Sequence, residues 1–243
     1  NGGQEAPYQT IQEGVNRVTP GGTVHVADGS YYPPAVINVN KAMSILGPAS
    51  GEAKVYGVGG STVKVFEITS SDVTISKLTI TLANAPAAHI GMINVPDGPR
   101  SNINITDNKI YVDPQPGAMS TWSGQAVYLG RYITGSNVSG NTIYNTRGGI
   151  VVHYNSALTI SNNVIYNTKG GIMNYTGTQA DADARVMTGN SWNGIHNEWD
   201  IVWNSGGGPY AMDMNKSVLQ VSQANNDGYT ISLTSANVLT VVP

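Results

Sequence analysis

The chain has no cysteine, a single phenylalanine, and charged residues at only 11% of its 243 positions. Without thiols there can be no disulfide framework, cysteine nucleophile or thiolate metal site. The net charge is −3 and no run of Lys or Arg occurs. That leaves nothing to neutralise a phosphate backbone, so a nucleic-acid partner is not expected. No apolar stretch approaches the roughly 18 residues of a membrane-spanning helix. The lack of cysteine fits an exported protein; no secretory signal is visible and the first residue is Asn1 rather than Met, so the sequence reads as a processed or trimmed form.

Glycine and asparagine are plentiful, with 29 and 25 residues. That balance favours tight turns over helices. Asn141–Ile150 reads NTIYNTRGGI, and Asn163–Ile172, 22 positions later, reads NVIYNTKGGI. Near-identity at such a period marks one supersecondary unit stacked on its own copy. Within each copy β-branched residues alternate with polar ones between Asn and Gly, the pattern of short strands and turns. Three short strands and three turns fit in about 22 residues, one circuit of a parallel β-helix. The spacing predicts an all-β solenoid of about nine to eleven rungs, roughly 45–50 Å long. Residues 1–22 read as an N-terminal cap and 23–243 as one β-helix domain.

The cap is read from Ile11, Val15 and Val18, which share a helical face, from the Thr10/Glu13 capping box, and from the stop at Pro20-Gly21-Gly22. Aligning the rungs puts Asn108, Asn141, Asn163 and Asn190 in one column, predicted to be an inward amide ladder. Loss of Asn163 is then expected to cost about 1–2 kcal/mol. Longer rungs imply insertions at Ala83–Arg100, Asp113–Gly124, Gly177–Arg185 and Asn204–Tyr210.

The run IQEGVNRVTPGGTVHVADGSYYPPAVINVNKAMSILGPASG, from Ile11 to Gly51, resembles the cap and first coils of the pectate lyase and pectin methylesterase superfamily. The NTIYNTRGGI repeats are similar to its middle rungs. The resemblance implies a right-handed parallel β-helix. Gln125–Leu129, QAVYL, is similar to a pectin methylesterase segment, and Asp200–Asn204, DIVWN, is distantly similar to another. The Gln-Asp pair of those esterases and the NTD and DD strings of polygalacturonase-type hydrolases do not occur. Pectate lyases use calcium-binding acids with an Arg or Lys base, so the resemblance implies lyase chemistry with Ca²⁺ as a candidate cofactor.

Strand alternation sends Ile150 and Val152 inward and Val151 and His153 outward. The 22-residue offset stacks Met173 on Val151, Tyr175 on His153, and Lys169 beside Arg147. His196 falls in the same column at the next rung. The catalytic candidates are therefore Arg147, Lys169 and His153: cations to neutralise a uronate carboxylate, and a base to remove the neighbouring proton. Tyr175, His196, Trp199, Trp203 and Arg131 are the substrate-binding candidates, with aromatic rings expected to lie on sugar faces. Asp181 and Asp183, in the acidic insertion after Tyr175, are the candidate calcium ligands, and two hydrated surface acids are the alternative. Arg147 and Lys169 read equally well as solubilising charges, and Trp192 as an inward core residue.

Two functions follow. One is a secreted carbohydrate-active β-helix, a lyase acting on an acidic, uronate-containing polysaccharide. The other is a non-catalytic cell-surface module for adhesion, glycan binding or assembly. A tailspike fragment, which would need trimerisation, is a third reading.

Overall fold

In the computed structural model every rung is a short strand, a turn, a strand, a corner and a third strand, and the chain then returns to begin the next circuit. The structure describes residues 6–58, 63–83, 90–113, 124–176, 178–192, 197–204, 210–213, 230–233 and 238–242. The first face is parallel throughout and runs in chain order: Thr23–His25, Met43–Leu46, Val73–Ser76, Ile103–Thr106, Ile133–Ser139, Ala157–Ser161 and Arg185–Thr188. The second and third faces are continuous across a corner. Thr142–Val152 and Val164–Tyr175 each run through both, bending where Asn145 and Asn167 take φ of 54° and 49°. The third face also holds Ile37–Val39, Phe66–Ile68, Gly91–Val95, Gln125–Leu129 and Trp199–Asn204.

Each face sends a column of apolar side chains inward. Ile45, Ile75, Ile105, Val138, Ile160 and Met187 align on the first, and Val55, Ile80, Ile110, Ile143 and Ile165 on the second. Phe66, Ile93, Val127, Ile150, Ile172 and Ile201 align on the third, and all three columns are fully buried. At about 1.5–3 kcal/mol per buried side chain, these columns are the main stabilising force. Trp192 extends the second column below Ile165, since Ser191 bridges to Val164, and it is buried as expected.

The turn between the first two faces holds the amide ladder. Asn108 donates to Asn141 (3.1 Å), Asn141 to Asn163 (2.9 Å) and Asn163 to Asn190 (2.9 Å), side chain to side chain. Each amide also donates to a first-face carbonyl at 2.9 Å, of Ile75, Ile105, Val138 and Ile160 in turn. The residue before each ladder Asn sits in the left-handed region: Asp107, Gly140, Asn162 and Gly189. Glycine suits the left-handed backbone at 140 and 189, where a Cβ would also press on the ends of the Asp107 and Asn162 side chains.

Helix Ile11–Arg17 lies against the first rung with Ile11 and Val15 in the core, and the Thr10 hydroxyl accepts from the Glu13 N–H at 3.1 Å. At the other end the coil differs from the sequence reading. Tyr210–Asp213, Thr230–Leu233 and Val238–Val242 form an antiparallel sheet, with Tyr210–Asp213 against Arg185–Thr188. The described residues thus hold seven rungs, not nine to eleven, and about 30 Å of coil. Insertions lengthen most circuits. The ladder offsets are 33, 22 and 27 residues, and only one equals the repeat.

Candidate functional site

The third face carries Arg147, Lys169, His153, Tyr175 and Trp199 among the sequence-nominated residues, and its register is the one expected. Thr146 pairs with Thr168 and Gly148 with Gly170, so Arg147 lies opposite Lys169; Val151 pairs with Met173. The glycine pairs in the repeats have a steric reason. A Cβ at Gly149 or Gly171 would run into the backbone oxygen of Gly171 or Asp200 in the next rung, because both positions face the core, towards Ile165 and Trp192 respectively.

Two polar clusters result, at opposite edges of the face. At the C-terminal edge the His153 and Tyr175 rings stack, with centroids 4.6 Å apart and planes within 11°. Tyr128 leans on His153 at 4.9 Å and 45°. Arg131 closes this edge: its guanidinium lies 5.4 Å over the Tyr154 ring and 3.7 Å from the Asp97 carboxylate. At the N-terminal edge stand Arg147 and Lys169, with the Lys169 ammonium 5.9 Å over the Trp199 ring. Between the edges runs a buried outward stripe of Val151, Met173 and Val202. Six strand positions separate Arg147 from His153, about 20 Å. The grouping of Arg147, Lys169 and His153 as catalytic candidates at one centre is therefore corrected, because the two cations and the imidazole cannot reach the same sugar.

The rings also point differently from the sequence reading. Sugar stacking needs an open ring face, whereas His153 and Tyr175 cover one another and present edges and polar tips. Outward tyrosines on the second face do the same: Tyr111, Tyr144 and Tyr166 stack at 4.7 and 5.1 Å. Equivalent side chains one strand spacing apart stack on each other by default.

His153 is half-buried, and burial holds its imidazole below the ordinary value. Asp97 pulls it back up, while Arg131 and Arg185 push it further down. Tyr128 moves the opposite way. Burial first, then Asp97 and Tyr175, raise its phenol. At neutral pH the edge thus juxtaposes an unprotonated imidazole with a protonated phenol, one proton acceptor and one donor.

The two candidate calcium ligands stand in different surroundings. Gln179–Asp183 is a short helix capped by Thr178. Asp181 is buried, and its carboxylate accepts from the Asn155 N–H at 2.7 Å, whereas Asp183 is exposed. The two carboxylates therefore do not converge, and no group of three or more His, Cys, Asp or Glu gathers anywhere among the described residues. His196 lies outside the described residues. Trp203 is described as backbone only, paired with Asn174. Sequence reasoning missed Tyr128, Asp97 and Arg185. The first was legible, since QAVYL lies opposite GGIVV with Tyr128 beside Val151, but Asp97 comes from a turn with no periodicity to place it, and Arg185 opens a strand that follows an insertion of irregular length.

A model of the right-handed β-helix region matches residues 52–210. The chain belongs to the right-handed β-helix family. This settles the handedness of the coil and agrees with the resemblance to the pectate lyase fold. No curated protein matches this β-helix. Among solved structures, the crystal structure of an alginate lyase from Paenibacillus sp. str. FPU-7 is similar at 14% identity, with 84% of this chain and 96% of that one covered and a TM-score of 0.33. No helix among the described residues is long and apolar enough to cross a membrane.

Proposed function

We propose that the protein is an exported carbohydrate-active β-helix that cleaves an acidic, uronate-containing polysaccharide by β-elimination at the His153 edge. The observation that carries this reading is the His153–Tyr128 pair, whose environments push the two groups in opposite directions beside an exposed guanidinium. In the reaction the His153 imidazole accepts the C5 proton of a uronate. The electron pair forms the C4–C5 double bond, the C4–O4 bond breaks, and the Tyr128 phenol protonates the departing oxygen. Proton transfer from His153 to Tyr128, directly or through solvent, restores both groups. Arg131 is assigned to the uronate carboxylate, where its charge acidifies the C5 proton and steadies the enolate-like charge. Arg147, Lys169 and Trp199 are too distant for the chemistry and are assigned to binding sugars beyond it.

The test is incubation with pectate, polymannuronate and polyguluronate, with and without Ca²⁺, following ultraviolet absorbance of the unsaturated product. Turnover by the wild type that disappears in His153→Gln supports the assignment, and turnover unchanged in that variant removes it. Arg147→Ala with Lys169→Ala should raise KM several-fold, weaken its salt dependence, and leave kcat and thermal stability nearly unchanged. The mutual covering of the rings favours a second reading, a glycan-binding surface module. That reading expects binding without turnover in every form.

A further inference from the structure

Arg185 is fully buried, in a chain that carries few charges at all. One terminal nitrogen donates both to the His153 carbonyl at 2.6 Å and to the Tyr175 carbonyl at 2.9 Å. The other terminal nitrogen donates to the Asn174 side-chain oxygen at 3.3 Å, and Nε to the Ser156 carbonyl at 3.4 Å. The two short bonds fall on the residues whose rings stack on the outer side of the same backbone. Both carbonyls lie where the third-face strands end and the chain turns away, so regular sheet pairing runs out there. Arg185 reaches them because it opens the next first-face strand, directly after the helix Gln179–Asp183, in register with the inward-facing Leu158. Asp181, one helical turn earlier, supplies the compensating charge and binds the Asn155 N–H. The acidic insertion is therefore a strut behind the site.

We propose that Arg185 is the positioning residue of the His153 centre: its guanidinium clamps the terminal carbonyls of two adjacent rungs and thereby sets the stack of His153 on Tyr175. The description of His153 as a centre rests on the function proposed above; the clamp is tested without substrate. A guanidinium suits this role because its planar fork can hold several oxygens at once, which an ammonium cannot do in the same geometry. A carbonyl buried without a partner is costly, so removing the fork frees both strand ends to shift. The charged and titratable groups facing His153 are Asp97, Arg131 and Arg185, with Tyr128, Tyr154 and Tyr175 as ring neighbours.

The experiment compares Arg185→Lys and Arg185→Gln with the wild type by NMR of the imidazole protons. The chain has only four histidines, and His153→Gln assigns the signal. In the wild type the Tyr175 ring should displace the His153 signals upfield. Both variants should lose much of that displacement while still melting cooperatively, and Arg185→Gln should also move the His153 titration up towards the ordinary imidazole value. If Arg185→Gln does not fold, Arg185→Lys decides the matter alone. On uronate substrate, kcat should fall roughly 10–100-fold with little change in KM, the mark of misplaced rather than missing groups. A purely structural arginine would lower the melting temperature and leave the His153 signals of the folded protein unmoved, and that result overturns the proposal. Absence of wild-type turnover would count against the elimination reading alone, because the ring signals need no substrate.

Discussion

His153 shows how a fold with little charge can still hold a poised base. Burial lowers its basicity, and Arg131 and Arg185 lower it further against Asp97. The folded state therefore binds fewer protons than the unfolded chain wherever the unfolded imidazole is charged. Stability then rises with pH across that window. The contribution is complete above the ordinary value of 6.5 and is lost progressively as pH falls from there to the folded value. Thermal melts of wild type and His153→Gln between pH 4 and 8 should diverge in this sense, with the variant showing the flatter acid limb. An identical acid limb would mean that His153 stays solvated. The same residue shows what local pattern cannot reveal. Its outward direction and its partner Tyr175 follow from alternation and the 22-residue offset. Its charge state depends on Asp97 and Arg131, which lie in turns, and on Arg185, whose strand follows an insertion of irregular length.

At the scale of the element, the asparagine column is the best-determined feature of the coil. Replacing Asn163 with Ala removes the acceptor of the Asn141 backbone N–H (3.0 Å) and the donor to the Val138 carbonyl (2.9 Å). The neighbouring amides are partly rescued. Asn190 keeps the Asn163 N–H, and Asn141 keeps the Ile105 and Ser139 carbonyls. Two buried backbone groups are then left short of a partner, at about 1–3 kcal/mol each. The expected loss is about 2–6 kcal/mol in denaturant unfolding, at or above the roughly 1–2 kcal/mol expected from the sequence. A loss under about 0.5 kcal/mol would show that water replaces the side chain. This ladder was readable because Asn recurs at the same place in four successive circuits, whatever the insertion. The helix Gln179–Asp183 was not, since five residues contain barely one helical period and read as an acidic loop.

For the whole molecule, the problem a solenoid has to solve is its ends. Each terminal rung exposes a sheet edge and the last layer of an apolar core, which invites pairing with another copy. The N-terminal end is closed by a helix whose Ile11 and Val15 enter the core, and that closure was legible from helical spacing and a capping box. The C-terminal end was not legible as a closure, because strands Tyr210–Asp213, Thr230–Leu233 and Val238–Val242 have the same β-branched alternation as a rung. Antiparallel pairing, which no periodicity announces, sets them apart from the coil, and Tyr210–Asp213 lies against the last first-face strand. Truncation after Asn204 should therefore leave the amide ladder and the His153 edge in place while uncovering the lower end. We expect the truncated chain to keep a β-type circular dichroism spectrum, to bind a hydrophobic dye more strongly, and to elute from size exclusion as larger species than the full chain at equal concentration and salt. High salt should not reverse the association, because apolar surface and backbone pairing drive it rather than charge. Elution at the smaller size expected from its length, with no gain in dye binding, would show that the antiparallel sheet does not close the coil.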